Sequence, residues 1–298
     1  MKSFFKKLLS KKAKEVSAMY DFRTLSMEEV DNYPDGLKDL KTRKIDGFIV
    51  KGALSPDEVE AIDNYTREMQ KNTEDVLHTP KGYVYPMPFS APGVERPDSE
   101  QYFIDMKTLR KEFAEKCGVD IENKLFTILG KMAGGRKVST PDYKKDVGSA
   151  VPFTLRFLKE KTGVVEVHCG NLFHGNHSVF YDNVNPIVET YNQLSYFYVI
   201  QPSESSDLIL LDSIWEAGQS KINFEQVYTF NDRNGKEVDC TEYGIDRKTI
   251  KLEPGDFLTF AGGPIWHLVE EVKGKKGRIT VGGFMGFSHD DKTLYAWS

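Results

Sequence analysis

The sequence predicts an α+β fold in which an antiparallel β-sandwich or jelly roll has helices packed on one side. Helical patterns occupy the chain up to Met132, and after Gly134-Gly135 the sequence changes to short runs rich in β-branched and aromatic residues. Gly, Pro, Asn and Asp separate these runs. Because helices do not alternate with the runs, a parallel βαβ sheet is disfavoured.

Capping motifs mark where the N-terminal helices begin. Ser26-Met27-Glu28-Glu29 and Ser55-Pro56-Asp57-Glu58 are capping boxes, and the second has proline at the first helical position. The second box predicts a helix that continues to about Lys71, preceded by a short strand at 46–50. Later helical patterns predict helices at 100–117 and 120–132.

The segment 78–97 contains several prolines and the aromatic residues Tyr83, Tyr85 and Phe89, without a helical period. We therefore predict a long loop, and long loops in compact domains often form lids over binding sites. Aromatic side chains in a lid would suit an apolar or planar ligand, although core packing explains them equally well.

The rest of the chain predicts a series of strands that no repeat or linker interrupts. The predicted strands are 151–158, 164–169, 194–201, 208–212, 224–230, 249–252, 257–261, 266–272 and 278–287. We predict a basic N-terminal segment at 1–20, followed by one domain at 21–298.

Charge is distributed unevenly along the 298 residues. Residues 1–14 contain six lysines and no acid, which leaves 34 basic against 45 acidic groups in the rest of the chain. This acidic body argues against a nucleic-acid partner, and no apolar run is long enough to cross a membrane. The basic segment predicts a solvated helix or a weak contact with a membrane surface or a partner.

The cysteines and the common catalytic motifs exclude several kinds of chemistry. Cys117, Cys169 and Cys240 are widely spaced and form no CxxC pair, so neither a disulfide framework nor a zinc knuckle is predicted. A reducing cytoplasm is the expected location. The sequence also lacks the GxGxxG, GxxxxGK[ST], HExxH and GxSxG motifs.

Two histidines and an arginine form the strongest chemical pattern. His168 ends one predicted strand, His267 lies in a later one, and Arg278 begins the next strand with Thr280 close by. Two neutral imidazoles on neighbouring strands can hold non-haem Fe(II) and leave positions open for a co-substrate and O₂. The arginine can bind a distal carboxylate through two hydrogen bonds, and the threonine hydroxyl can add a third.

These residues carry a resemblance to a known family. The segment from Leu252-Glu253-Pro254-Gly255-Asp256 through Trp266-His267 to Arg278 resembles the C-terminal signature of Fe(II)/2-oxoglutarate dioxygenases. The region from Thr154-Leu155-Arg156-Phe157-Leu158 to His168 resembles the strand pair that carries their first metal ligand. The resemblance implies a double-stranded β-helix, which is a cupin-like jelly roll, with N-terminal helical support.

The sequence departs from that family at one position. Members usually carry the first ligand in His-X-Asp or His-X-Glu, whereas Gly170 stands two residues after His168. Glycine vacates one coordination position and removes one negative charge, and a halide ion would restore both. His-X-Gly resembles the motif of the Fe(II)/2-oxoglutarate halogenases. Val167-His168-Cys169-Gly170-Asn171 and Gln193-Leu194-Ser195-Tyr196-Phe197 are similar to the carrier-independent halogenases of hapalindole- and welwitindolinone-type alkaloid pathways.

The resemblance implies a specific reaction. An unactivated aliphatic C–H of a freestanding small molecule is replaced by chlorine or bromine, and 2-oxoglutarate is decarboxylated to succinate. Fe(II), 2-oxoglutarate, the halide and O₂ are the implied cofactors and co-substrates, and no carrier protein is expected. The implied catalytic residues are Gly170, Ser195 and Asn171, the cofactor-binding residues Arg278, Thr280 and Arg156, and the metal ligands His168 and His267.

Alternatives remain open at this stage. The same fold could be a hydroxylase with water in the position that Gly170 vacates, or a catalytically inactive jelly-roll binding protein. Gly170 could also serve the backbone, for example at a bulge. Arg156 could contact 2-oxoglutarate, but pairing with an acid inside the barrel is the preferred prediction.

The other histidines and Cys169 receive structural predictions. His174 and His177 are expected in a loop or substrate pocket rather than in a zinc cluster, because no cysteine or carboxylate completes a tetrahedral set. His78 is expected to face solvent. Cys169 alternates away from the ligand face of its strand and is expected in the core.

Overall fold

The computed structural model describes most of the chain. The described residues are 20–71, 76–88, 90–91, 94–95, 99–143, 148–171, 179–205, 207–215, 229–231, 237–239 and 247–298. The predictions for the basic N-terminal segment, Phe89, His174, His177 and Cys240 lie outside them.

The helices confirm the sequence prediction closely. They are a 3₁₀ turn at Glu29–Asn32, α1 at Gly36–Lys41, α2 at Pro56–Met69, α3 at Ser99–Cys117, α4 at Ile121–Met132 and α5 at Val179–Val184. Ser26 exchanges hydrogen bonds with Glu29, and Ser55 with Glu58. Only Ser55 caps an α-helix, because the first pair precedes the short 3₁₀ turn, whose N-cap is Glu28. The short α1 and α5 were not predicted.

Where a predicted run lies in the described residues, a strand follows it to within a few residues. The strands are β1 Phe22–Leu25, β2 Gly47–Val50, β3 Leu77–Thr79, β4 Gly82–Tyr85, β5 Ser90–Ala91, β6 Val94–Glu95, β7 Lys137–Ser139, β8 Asp142–Tyr143, β9 Gly148–Ser149, β10 Thr154–Leu158, β11 Val165–His168, β12 Leu194–Gln201, β13 Leu208–Ile214, β14 Thr229–Asn231, β15 Glu237–Asp239, β16 Arg247–Ile250, β17 Phe257–Phe260, β18 Ile265–Val269, β19 Arg278–Phe287 and β20 Thr293–Trp297. The predicted run 224–230 is described only from 229, and β1, β3–β9, β15 and β20 were not predicted.

Two sheets form the jelly roll. The major sheet has the order β1-β2-β17-β12-β19-β10-β4-β3, with β20 joining β19 to β7, and the minor sheet has the order β11-β18-β13-β16. All pairs are antiparallel except β1 with β2 and β20 with β7. Sequence neighbours such as β10 and β11 lie in different sheets, so the chain crosses repeatedly between the two layers. The predicted α+β jelly roll is confirmed.

The predicted lid at 78–97 is wrong in its first part. Gly82–Tyr85 is a strand of the major sheet that pairs with β10, and Leu77–Thr79 forms a hairpin with it. Tyr83 and Tyr85 are buried, and the Tyr83 hydroxyl donates to the Thr66 carbonyl. An alternating pattern four residues long is easily obscured by the surrounding prolines, which suggested a loop. His78 is exposed, as predicted.

Helical support lies against the major sheet, which leaves the space between the two sheets for the site. The buried face of α2 contains Ile62 and Tyr65, and α2 contacts β12. A second, smaller core covers the outer face of the minor sheet and includes Cys169 and Trp266. Core packing of Cys169 is therefore confirmed. No helix among the described residues is long and apolar enough to cross a membrane.

Candidate active site

The two predicted metal ligands face each other across a strand pair. His168 on β11 lies opposite His267 on β18 in the antiparallel register, and their ring centroids are 4.2 Å apart. The register carries one extra residue on β11, because Val165 pairs with Val269 while His168 pairs with His267. Such a β-bulge re-aims the side chains that follow it.

The bulge decides which way His168 points. Val165 lines the central cavity, so regular alternation would turn Val167 inward and His168 outward. With the extra residue, His168 lines the cavity and Val167 packs in the outer core. The strand irregularity therefore brings both imidazoles to one wall of the cavity.

Backbone carbonyls hold the two rings in the form that binds a metal. The Nδ1 atom of His168 lies 2.8 Å from the Glu166 carbonyl oxygen, and that of His267 lies 2.8 Å from the Ile265 carbonyl oxygen. Because a carbonyl only accepts, each Nδ1 carries the hydrogen and each Nε2 keeps its lone pair. This arrangement is usual for metal-binding histidines.

Burial keeps both imidazoles neutral. It lowers the pKa of His168 to about 4, and the charge of Arg156 acts in the same direction. The pKa of His267 lies well below its ordinary value, again mainly through burial. Neutral imidazoles are the form that coordinates metal at neutral pH. The donor set thus fits a divalent metal held through two Nε2 atoms.

Gly170 lies next to this pair, in a space too tight for a side chain. Its amide donates to the Gly262 carbonyl, which ties the end of β11 to the turn before β18. A Cβ atom at Gly170 would lie 2.9 Å from two atoms of the Gln193 side chain and 3.0 Å from the Gly263 Cα. Within the described ranges, no group of three or more His, Cys, Asp or Glu residues could hold a metal. The site therefore offers two imidazoles, and a side chain at position 170 would require Gln193 to move.

Arg278 and Thr280 occupy the opposite wall, on β19. Arg278 is only 3% exposed, donates from Nη2 to the Asp207 carbonyl at 2.8 Å and lies over the Phe197 ring. Burial lowers the pKa of Arg278 to about 10, so it remains charged at neutral pH. Thr280 lines the same cavity. The two residues present a cation and a hydroxyl at the end of the cavity that faces the histidines.

The structure corrects the prediction that Arg156 pairs with an acid inside the barrel. It lies on β10 directly opposite Thr280 and lines the cavity, as the strand pairing requires. None of the acidic side chains that the structure describes forms an ion pair with it, and burial is what lowers its pKa. The preferred acid pairing is therefore wrong for the described residues. An unneutralised guanidinium faces the site.

Asp207 is a residue of the site that the sequence did not reveal. Its side chain is buried, accepts from the Ser203 and Leu252 amides, and lies 3.7 Å from the Nε of Arg278. Burial raises its pKa, while Arg278 and the two amides oppose that shift. Asp207 belongs to no recognisable motif, because its role depends on the contact between β13 and β19. It orients and neutralises Arg278.

Ser195 and Asn171 occupy different positions relative to the cavity. Ser195 on β12 lines it, and within the described part of the chain its buried hydroxyl has no hydrogen-bond partner. Asn171 lies behind the cavity, where its amide accepts from the Asn192 amide and donates to the Asn192 side chain. Asn171 thus holds the turn that precedes β12, while Ser195 offers a hydroxyl to the interior.

Comparison with known proteins places the chain in a family. The family model described as the carrier-protein-independent halogenase WelO5 matches residues 19–298. The chain belongs to this halogenase family. No curated protein sequence matches it. The family match includes both histidines, Gly170, Arg278 and the β12 strand.

The chain is also similar to solved structures. An N-substituted L-amino acid dioxygenase from Burkholderia ambifaria AMMD has a TM-score of 0.53 at 12% identity, over 87% of this chain and 90% of that chain. The non-haem alpha ketoglutarate dependent epimerase SnoN from nogalamycin biosynthesis has a TM-score of 0.43 at 11% identity, over 85% and 86% of the two chains. The dioxygenase supports the oxygenase-type jelly roll, and at such identities it supports the fold alone.

We expect His168→Ala to weaken Co(II) or Fe(II) binding by more than about 100-fold. Loss of a residue that only hydrogen-bonds to a metal ligand already lowers metal affinity by up to about 100-fold, and loss of a ligand itself should cost more. Isothermal titration of the apoprotein measures the affinity. His78→Ala is the matched control, since His78 is exposed and outside the cavity. Equal metal affinities of the two variants would exclude His168 as a ligand.

We expect Asp207→Ala to lower the free energy of unfolding by about 3–5 kcal/mol, because it leaves the Arg278 guanidinium buried without its carboxylate. Urea unfolding measures the change. Adding Arg278→Met should recover part of the loss, since the unpaired charge is then gone. If the losses in unfolding free energy caused by Asp207→Ala and Arg278→Met simply add in the double variant, the pairing of Asp207 with Arg278 is contradicted.

Proposed function

We propose that this protein is an Fe(II)/2-oxoglutarate-dependent halogenase that replaces an unactivated aliphatic C–H of a freestanding small molecule with chlorine or bromine. The observation that carries the proposal is Gly170 beside the His168 and His267 pair, in a member of the carrier-protein-independent halogenase family. Family membership supports a free substrate rather than one tethered to a carrier protein. A cytoplasmic location stays a prediction.

The metal would be held by the Nε2 atoms of His168 and His267. Iron with 2-oxoglutarate and O₂ supplies the oxidising chemistry: substrate C–H, halide, a proton, 2-oxoglutarate and O₂ give C–halogen, succinate, CO₂ and water. The protein's own contribution is to keep both imidazoles neutral and oriented, through the carbonyls of Glu166 and Ile265. It also leaves one coordination position without a carboxylate, at Gly170.

Arg278 and Thr280 would bind the distal carboxylate of 2-oxoglutarate. The guanidinium is already held by Asp207 and by the face of Phe197, so little side-chain freedom is lost on binding. Thr280 adds a hydroxyl beside it. A pre-positioned, charge-assisted pair of this kind favours a dicarboxylate over a monocarboxylic acid.

Charge balance supports a halide in the vacant position. Among the described residues that line the cavity, Arg156 and Arg278 carry charge, and Asp207 neutralises Arg278. Fe(II) and Arg156 would bring three positive charges, and 2-oxoglutarate with one halide would bring three negative ones. Because unbalanced buried charge is costly, the site favours an anion where the carboxylate is missing. We assign Arg156 this counter-charge role toward the anionic ligands.

Ser195 would influence which group is transferred to the substrate carbon. Its unpartnered hydroxyl lines the cavity close to the strand pair that carries the histidines. Such a hydroxyl can hydrogen-bond to a ligand at the metal and so influence which group the substrate carbon meets. Asn171 would act indirectly, by fixing the turn from which β12 starts.

The direct test is the mass of the product with and without halide. Enzyme supplied with Fe(II), 2-oxoglutarate, O₂ and an indole-alkaloid-type candidate substrate should give a chlorinated product in chloride and a brominated one in bromide. In halide-free buffer, halogenated product should disappear. Hydroxylation that is independent of halide, as the only activity, would favour the hydroxylase alternative and contradict the proposal.

We expect Gly170→Asp to abolish halogenation, because its carboxylate would take both the position and the charge of the halide. The added Cβ would collide with Gln193, so Gly170→Asp is also combined with Gln193→Ala to give more room, and Gln193→Ala alone is the reference for that double variant. Gly170→Ala is the control, since it adds the Cβ without the carboxylate and should retain halide-dependent activity if it folds. Chlorination by a folded Gly170→Asp variant would contradict the proposed halide position.

A further inference from the structure

We propose that the side-chain amide of Gln193 is a halide-binding group, which donates a hydrogen bond from Nε2 to the anion in the space beside Gly170. The proposal rests on the proposed function and deepens it. Ordinary oxygenases of this type have a carboxylate in that space, and here a neutral donor lies next to it.

The position of Gln193 is the first observation. An ideal Cβ on Gly170 would lie 2.9 Å from both Cγ and Nε2 of Gln193, so the amide occupies the region into which a side chain at 170 would extend. Gln193 is 1% exposed. Gln193 directly precedes β12, and Ser195, the second residue of that strand, lines the cavity.

The lack of a partner is the second observation. Nε2 of Gln193 is buried and has no hydrogen-bond partner among the residues that the structure describes. A buried donor left unpaired is destabilising, and native proteins rarely contain one without a ligand or a role. An anion beside Gly170 would accept from this donor and remove the cost.

The surroundings hold the amide in this orientation. The Tyr181 hydroxyl donates to Oε1 of Gln193 at 3.4 Å, which leaves Nε2 on the side of Gly170. Burial raises the pKa of Tyr181 to about 12, so it keeps its proton as a donor. The Gln193 carbonyl accepts from the Gly263 amide at 2.7 Å, which fixes the backbone as well.

Gln193 and Arg156 would then have complementary roles. Arg156 supplies a positive charge that favours any anion in the cavity, and such a charge acts over several ångströms without direction. A single N–H donor is directional, so it selects the position beside Gly170. Together they would give the halide both a favourable potential and a defined place.

The test is a chloride titration of the anaerobic Fe(II)- and 2-oxoglutarate-loaded protein, followed through the visible metal-to-2-oxoglutarate charge-transfer band. We expect Gln193→Met, which keeps the size and loses the donor, to raise the chloride Kd about tenfold. Gln193→Glu, which also adds a negative charge, should raise it further. Gln201→Glu is the matched control at the other end of β12, and its chloride Kd should equal that of the wild type.

The 2-oxoglutarate Kd and the thermal melting temperature identify a folding defect, because both should stay near the wild-type values in Gln193→Met. If wild-type protein binds chloride and Gln193→Met binds it equally well, the role of Gln193 is overturned while the proposed function stands. If the wild-type band does not respond to chloride at all, the proposed function itself fails. A loss confined to chloride affinity supports both.

Discussion

The site depends on one feature of strand pairing, the extra residue in β11 opposite β18. Without this bulge, the alternation that begins with Val165 in the cavity would point His168 at the outer core. With it, His168 and His267 meet on one wall, and Gly170 follows at the turn where β11 ends. Everything that the site can bind is arranged around this pair. Beyond the bulge, hydrogen bonds from the Gly170 and Asn171 amides to the Gly262 and Gly263 carbonyls tie the end of β11 to the turn before β18.

The second constraint is close packing around Gly170. A glycine at this position has two consequences that usually occur separately: no carboxylate is available to a metal, and the neighbouring Gln193 can approach the vacated space. A simple exchange of glycine for aspartate is therefore not a clean restoration of the ordinary oxygenase site. In this protein, the absence of a side chain at position 170 and the position of the Gln193 side chain depend on each other, because Gln193 fills part of the space that a side chain at 170 would need.

Much of the fold could be predicted from local pattern. The strands β12 and β19 match the predicted ranges to the residue, because both are long runs rich in aliphatic and aromatic residues. The capping box at Ser55 located the start of α2 in the same way. The β3–β4 hairpin was missed, since its strands are short and lie among prolines.

The site could be predicted only where a motif is contiguous. His168, Gly170, His267 and Arg278 occur in recognisable segments, so the sequence identified them. Asp207 and the unpaired state of Arg156 depend on which strands become neighbours, and no local pattern reports that. Gln193 belongs to the segment 193–197 that resembles the halogenases, but its approach to Gly170 is visible only in three dimensions.

In the proposed site, a halide occupies the position that a carboxylate holds in ordinary oxygenases of this type. Bromine-edge anomalous diffraction from anaerobic crystals grown with Fe(II), 2-oxoglutarate and bromide tests it most directly. We expect an anomalous peak bonded to the metal beside Gly170, within hydrogen-bonding distance of the Gln193 amide. A metal bound by His168 and His267 with water in that position and no bromine peak would contradict the claim.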